Sequence, residues 1–157
     1  MTRILVPVQL RWSDLDAYSH VNNVEMFRLF EEARIEAFWR HPDAERDGSP
    51  TAVLDAGPGA ATTTLVARQE IEYLVALPYR RRPVIVELWL GRLGGASVDV
   101  CYLLRDDDEP GPTVYARAQA TLVLVDATTG APRRINEVER AAWQPYVEEP
   151  IAFRRRR

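Results

Sequence analysis

Apolar and polar residues alternate along the first segment, with Ile4, Val6, Val8, Leu10 and Trp12 on one side of a period-2 pattern over residues 3–12. Alternation of this kind predicts a half-buried strand. After residue 23 the period changes to 3.6. Met26, Phe30, Ala33 and Ala37, flanked by Phe27 and Phe38, form an apolar stripe that predicts a helix of about four to five turns. Glu31, Glu32, Arg34 and Glu36 are expected to cover its remaining surface. Residues 40–61 are rich in Pro, Gly, Asp and Ala and carry no period, so they read as a long connection with room for a short helical turn.

Alternation then returns and persists. Leu65, Ala67, Ile71, Tyr73 and Val75 share one face of an expected strand, and Val84, Val86, Leu88 and Leu90 share a face of the next. Val98, Val100, Tyr102 and Leu104 give another, and Val114, Ala116, Ala118, Ala120, Leu122 and Leu124 give the last. The stretches "LPYRRRP", "LGGAS" and "DDDEPGP" supply the turns between them. "NEVERAAWQPY" reads as a short C-terminal helix ending near Pro145. One antiparallel sheet with a long helix against one face, an α+β arrangement, is the natural packing. A meander of the last four strands and a topology with one strand displaced to the sheet edge fit the sequence equally well. No repeat or linker divides the chain, so residues 1–150 are read as one domain and residues 151–157 as an Arg-rich tail.

Composition removes several function classes. The chain has 157 residues, enough for one domain with its own core, and a net charge of -3, which argues against a nucleic-acid partner. No apolar run approaches the roughly 18 residues of a membrane span, and the start "MTRILVPVQLRW" is too alternating for a signal peptide. A cytoplasmic location without membrane attachment is therefore expected. Cys101 is the sole cysteine and is accompanied by only His20 and His41, too few soft ligands for a metal site, so none is expected. All 20 basic residues are Arg, a bias that points to GC-rich coding and a bacterial source. No G-x-S-x-G elbow or phosphate-binding G-x-x-x-x-G-K loop is present.

The candidate chemistry lies in "SDLDAYSHVNN", residues 13–23, between the first strand and the helix. Asp14, Asp16, Asn22 and Asn23 are residue types that favour turns and helix caps, and a capped turn is one reading of them. The other is a site. Asp16 can attack a carbonyl or deliver water to it, and the unpaired N–H groups of a helix starting at Asn22 or Asn23 can hold the resulting oxyanion. Asp14 is read as structural, because a second free carboxylate would raise the negative charge facing the reaction.

"SDLDAYSHVNNVEMFRLFEEARIEAF" resembles the N-terminal signature of hotdog-fold acyl-CoA thioesterases of the 4-hydroxybenzoyl-CoA thioesterase-like family, D-x-D-x-x-G-H-V-N-N-x-x-Y with E-x-A-R further along. "VARQEIEYLVAL", "GGAS" and "LVLVDATTGAPRRI" are similar to later segments of that family, so the likeness spans about residues 5–146. The resemblance implies a hotdog fold, with an antiparallel five-stranded sheet wrapped around a long central helix. It implies hydrolysis of a small-to-medium acyl-CoA, with Asp16 as nucleophile or general base and the Asn23 N–H as oxyanion donor. His20 and Asn22 would then shape the loop around the carbonyl. Ser19 stands where the family has Gly and Met26 where it has Tyr, changes that bear on loop strain and on substrate preference.

Coenzyme A would enter only as part of the substrate, with no other cofactor; an acyl-carrier-protein thioester is the alternative form. Its phosphates suit arginine forks. Arg92, Ser97, Arg133 and Arg134 are expected to converge at one end of the sheet and Arg80 to Arg82 to lie at the other. A homodimer or homotetramer is expected, because a single sheet over one helix leaves open edges. The second functional reading is a hotdog module that binds an acyl thioester without cleaving it.

Overall fold

The computed structural model describes residues 2–41, 48–55 and 57–154. Its elements are β1 (Ile4–Val8), a 3₁₀ turn (Trp12–Asp14), α1 (Asn23–Phe38), β2 (Thr62–Tyr73), β3 (Val84–Leu93), β4 (Ser97–Arg105), β5 (Val114–Asp126), α2 (Glu137–Trp143) and a second 3₁₀ turn (Gln144–Tyr146). The five strands form one antiparallel sheet in the order β1-β3-β4-β5-β2. β3, β4 and β5 make the meander, and β2 is the displaced strand, carried across to the far edge beside β5. This is the hotdog arrangement, with α1 packed against one face of the sheet. At 16 residues α1 has the expected four to five turns but is of ordinary length for a globular helix. No helix among the described residues is long and apolar enough to cross a membrane.

Burial follows the strand period where the sheet is covered. Val84, Val86, Leu88 and Leu90 point inward from β3, as do Val98, Val100, Tyr102 and Leu104 from β4 and the even-numbered residues from Ala116 to Leu124 of β5. They meet Met26, Leu29, Phe30, Ala33, Ala37 and Phe38 of α1 in a single core. Leu29, Ala33 and Ala37 are wholly buried. Two methyl side chains on that line bring the helix backbone close to the sheet. The connection after α1 is pinned at Thr51, whose hydroxyl donates to the Ala37 carbonyl at 2.6 Å and whose own carbonyl accepts from Trp143 Nε1 at 3.0 Å. The helical turn expected within residues 40–61 falls partly on 42–47 and 56, outside the described residues.

Three expectations are corrected. Trp12 does not join the buried face of β1, because the chain leaves the sheet after Val8; its ring is 73% exposed and stacks on Tyr79 at 4.5 Å. On β2, a bulge between Val66 and Arg68 shifts the register, so Leu65 and Tyr73 do not share a face. Much of its apolar surface is open, with Leu65 56% and Tyr73 44% exposed, and Val75 lies beyond its end. Arg34, expected on the helix surface, is only 6% exposed. It lies four residues after Phe30 and therefore on the apolar stripe, and its Nη1 donates to the Tyr102 hydroxyl at 3.1 Å.

After α2 the chain crosses the outer face of the sheet as a strap. Glu148 N–H donates to the Leu90 carbonyl at 2.9 Å, and Trp89 Nε1 donates to the Glu149 carbonyl at 2.9 Å. Pro150 passes over Gly91, where an added Cβ would stand 2.9 Å from Cys101 Sγ and 3.0 Å from Pro150 Cβ. Glycine is required there for the close approach. Cys101 is thereby buried beneath the strap, and Arg154 N–H reaches the Glu72 carboxylate on β2. The contact between α1 and the sheet is made by wholly buried small side chains, and Ala33→Leu tests it. The added bulk should lower stability by about 1–3 kcal/mol, read as a lower denaturant midpoint at unchanged slope.

Candidate functional site

The loop of residues 13–23 is organised around a buried carboxylate. Asp14 is 0% exposed, and its Oδ2 accepts from the Arg11 N–H at 2.7 Å and from Arg28 Nη2 at 2.8 Å. Oδ1 accepts from Arg11 Nη2 at 2.9 Å. Arg28 also pairs with Glu25 and Glu32 on its own helix, so it fastens the loop to the first two turns of α1. The Asp14 carbonyl accepts from the Asn22 N–H at 2.7 Å, closing the loop on the helix start. Burial alone would raise the Asp14 pKa, but the bonds from Arg11 and the charges of Arg28 and Arg11 outweigh it and hold the group below its ordinary range. Asp14 is the structural carboxylate of the pair.

Asp16 is held differently. Its Oδ1 accepts from the Tyr18 N–H at 2.8 Å and the His20 N–H at 3.3 Å, while Oδ2 has no donor among the described residues. One oxygen fixes the orientation and the other is left for a ligand or water. Ser19 sits at φ 62°, the left-handed conformation implied by the glycine of the resemblance, at a cost of about 1–2 kcal/mol to a residue with a Cβ.

Asn22 is the N-cap of α1, and its Oδ1 accepts from the Val24 N–H at 3.0 Å. The Asn23 N–H, the first of the helix, has no partner among the described residues, and the helix dipole adds positive character to it. Asp16, His20, Asn23, Met26, Tyr73 and Val75 line one open cavity of about 310 Å³.

Tyr73 was not anticipated as a site residue. Its hydroxyl donates to the Asn23 carbonyl at 2.9 Å, bracing the peptide next to the unpaired N–H. Nothing in the alternating pattern of β2 distinguishes it from a packing tyrosine; only the displacement of β2 beside α1 brings it there.

The residues expected to bind coenzyme A lie at the end of the sheet away from Asp16, but they do not share one site: Arg133 and Arg134 line a cavity there, and Arg92 and Ser97 lie outside it. Arg92 donates through Nε to Asp99 Oδ2 at 2.9 Å and through Nη2 to Ser97 Oγ at 3.1 Å. Arg133 is held by Glu139 at 2.6 Å and by Thr62 Oγ1 at 2.8 Å. Arg134 Nη1 stands 4.0 Å from the point a Gly95 side chain would occupy, and its guanidinium forms no ion pair among the described residues. Arg40, Thr62, Arg133, Arg134, Asn136 and Glu139 line a second cavity of about 390 Å³. That cavity lies at the Thr62 end of β2 and the Asp16 cavity at the Tyr73 end, so the two are at opposite ends of the strand. Arg80 and Arg82, on the Asp16 side of the sheet, are occupied by Asp107 and Asp108.

Comparisons with known proteins bear on the family and the fold. Residues 10–149 match the model of the thioesterase-like superfamily. Among solved structures, a predicted thioesterase from Bacillus stearothermophilus aligns with TM-score 0.73 and 21% identity over 95% of this chain and 99% of that one. A Pseudomonas aeruginosa protein with a provisional thioesterase assignment aligns at 0.68 and 29% identity over 89% and 95%. The dynemicin thioesterase, whose structures describe polyene binding, aligns at 0.73 with 14% identity over 94% and 99%, a likeness of fold alone. A search of curated proteins returns no match.

The Asp14 clamp carries a pH-dependent prediction. A carboxylate whose folded pKa lies below its unfolded value stabilises the fold above the unfolded pKa and loses that contribution as pH falls through the folded one. Asp14→Asn should therefore cost roughly 1–3 kcal/mol at neutral pH, with the gap to the parent protein narrowing once the pH drops below the ordinary carboxylate range. Denaturant titrations of both proteins across that range check it; a gap constant with pH contradicts the clamp.

Proposed function

The chain belongs to the thioesterase-like superfamily, and on that footing we propose that it hydrolyses the thioester of a small-to-medium acyl-CoA to the free acid and coenzyme A. The observation that carries this reading is the shared cavity of the unengaged Asp16 oxygen and the unpaired Asn23 N–H. The thioester carbonyl oxygen takes the Asn23 N–H. Charge grows on that oxygen as the carbon becomes tetrahedral, so the bond and the dipole of α1 stabilise the transition state more than the substrate.

Asp16 acts through Oδ2 in one of two ways. As a nucleophile it bonds to the carbonyl carbon and expels the thiolate, leaving a mixed anhydride that water then cleaves. As a general base it takes a proton from the attacking water and returns it to the departing sulfur. Asn22 caps the helix and His20 closes the loop through its backbone, with its ring at the cavity wall. The buried Met26 gives the acyl group an apolar floor where a tyrosine would offer a hydroxyl.

The phosphates of coenzyme A are assigned to Arg134, whose fork is unengaged among the described residues, with Arg92, Ser97 and Arg133 shaping its surroundings. Those residues lie too far from Asp16 in one chain, so the working unit is a homo-oligomer. β2 has 12 residues and, among the described residues, pairs only with β5, leaving its other edge open, whereas the opposite edge strand β1 has 5 residues, including Pro7. Antiparallel pairing of two β2 strands sets the Thr62 end of one protomer beside the Tyr73 end of its partner. Each Asp16 then faces an Arg134 supplied across the interface. The enzyme acts in the cytoplasm on a soluble thioester; the nucleotide phosphates favour coenzyme A over an acyl-carrier protein as the thiol.

Thiol release from a panel of acyl-CoA esters tests the activity: steady turnover supports it, and tight stoichiometric binding without release indicates a binding module instead. Asp16→Asn should lower kcat by at least roughly a hundredfold while acyl-CoA affinity changes little; normal turnover by this variant would remove Asp16 from the chemistry. Arg134→Ala should raise KM about tenfold at nearly constant kcat, since a phosphate contact is the same in ground and transition states. Arg81→Ala serves as the control. A KM effect confined to Arg81 would place the phosphates at the chain's own Asp16 end.

A further inference from the structure

The peptide groups at the start of α1 are held from several directions, and one donor is left over. The Asn22 N–H goes to the Asp14 carbonyl at 2.7 Å, the Val24 N–H to Asn22 Oδ1 at 3.0 Å and the Glu25 N–H to the Asn22 carbonyl at 2.9 Å. The Asn23 N–H lies between these without a partner among the described residues, and Asn23 lines the Asp16 cavity. Those three bonds come from the loop or from the helix itself. The sheet supplies a fourth through Tyr73, whose hydroxyl donates to the Asn23 carbonyl at 2.9 Å. A carbonyl oxygen has two lone pairs, so this bond leaves the helix its own use of the same acceptor. Tyr73 stands on a fixed base. It is the last residue of β2 and pairs with Ala116, and the next two N–H groups, of Leu74 and Val75, both donate to the Tyr115 carbonyl at 2.8 and 3.2 Å. The Tyr115 hydroxyl is tied in turn to the buried Asp106 at 2.7 Å. Partial desolvation pushes the Tyr73 phenol above its ordinary range despite the bond to Asn23, so it remains a protonated donor across the neutral range.

We propose that Tyr73 is a positioning residue for the oxyanion donor: its hydroxyl, anchored where β2 ends on β5, holds Asn23 so that the unpaired N–H stays directed into the cavity it shares with Asp16. The inference rests on the thioesterase reading above and adds to it the group that keeps the donor aligned. The first residue of a helix is held weakly by the helix itself, because its N–H has no carbonyl one turn earlier to bind. The cap at Asn22 restrains Asn23 from the loop side, and Tyr73 restrains it from the sheet side. The Tyr73 side chain borders the cavity and the residue is 44% exposed, so apolar burial does not account for its place, whereas the directed bond does. A donor fixed before the reaction meets the growing charge without reorganising, and a donor that has to be brought into line loses part of that advantage. Charge grows on the carbonyl oxygen only as the carbon becomes tetrahedral. Loss of alignment is therefore felt in the chemical step and hardly at all in binding.

Tyr73→Phe tests the proposal, because it keeps the ring and removes only the hydroxyl. It should lower kcat on the acyl-CoA panel by about tenfold, with KM and the denaturant midpoint nearly unchanged. A second reading comes from the thioester carbonyl stretch, measured by infrared difference spectroscopy in the Asp16→Asn background, where turnover is slow. The probe is the panel member that binds most tightly, carrying a heavy carbon isotope at its carbonyl. A donor aligned on the carbonyl oxygen lowers the stretching frequency, and the double variant D16N/Y73F should show a smaller lowering than D16N alone. A Tyr73→Phe protein with the parent's kcat, or one in which only KM rises, overturns the positioning role, as does an equal carbonyl shift with and without the hydroxyl. A parent that binds the esters without cleaving them overturns the hydrolytic reading alone, and the carbonyl shift then decides the role of Tyr73 by itself.

Discussion

The close seating of α1 on the sheet governs the remaining geometry. Ala33 and Ala37 present only methyl groups to the strands, and Leu29 fills the space beside them, so the helix axis has little freedom to tilt or slide. A fixed axis means a fixed N-terminus. The loop before it can then be fastened by short-range bonds, with Asp14 reaching Arg28 on the second turn and Asn22 reaching back to the Asp14 carbonyl. Asp16 inherits its orientation from this clamp, although it takes no part in it. The two carboxylates of one short loop thus separate their tasks by environment: one is enclosed between two guanidinium groups, and the other keeps an oxygen toward open space.

The strands of the sheet interior were legible because each is buried on the helix side, which leaves a clean period of two. Failures occurred where that condition lapsed. β2 is an edge strand with a bulge at its centre, so its apolar residues fall on both faces and its pattern mixes packing with exposed contact surface. Trp12 continued the alternation in sequence after the backbone had already turned away from the sheet. Arg34 occupied a stripe position by helical period, and its charge masked that fact.

The loop was legible through residue types, since a capping asparagine and a turn-forming aspartate leave local signatures, whereas the positive φ of Ser19 was suggested only by the glycine of the resembled family. Tyr73 and the distance between Asp16 and Arg134 were not legible. Both depend on β2 crossing to the far side of β5, a choice between topologies that alternation does not encode. The pairing of Arg92 with Ser97 was within reach of the sequence because it needs only the hairpin between β3 and β4, where sequence neighbours are also spatial neighbours.

The strap that crosses the outer face ties the last part of the chain to the first. Arg3 lies over the Trp89 ring at 3.8 Å and pairs with Glu148 at 2.9 Å, a contact between residues 145 positions apart. Its other nitrogen pairs with Glu87, which also holds Arg105, so the start of the chain and the strap share a charge network on β3 and β4. The order of elements along the polypeptide is therefore separable from their packing. A bridge long enough to return from Arg154 beside β2 across the outer face to β1, with a new opening cut into the exposed turn between β4 and β5, would yield a circular permutant with the same sheet, the same helix seat and the same loop in front of it.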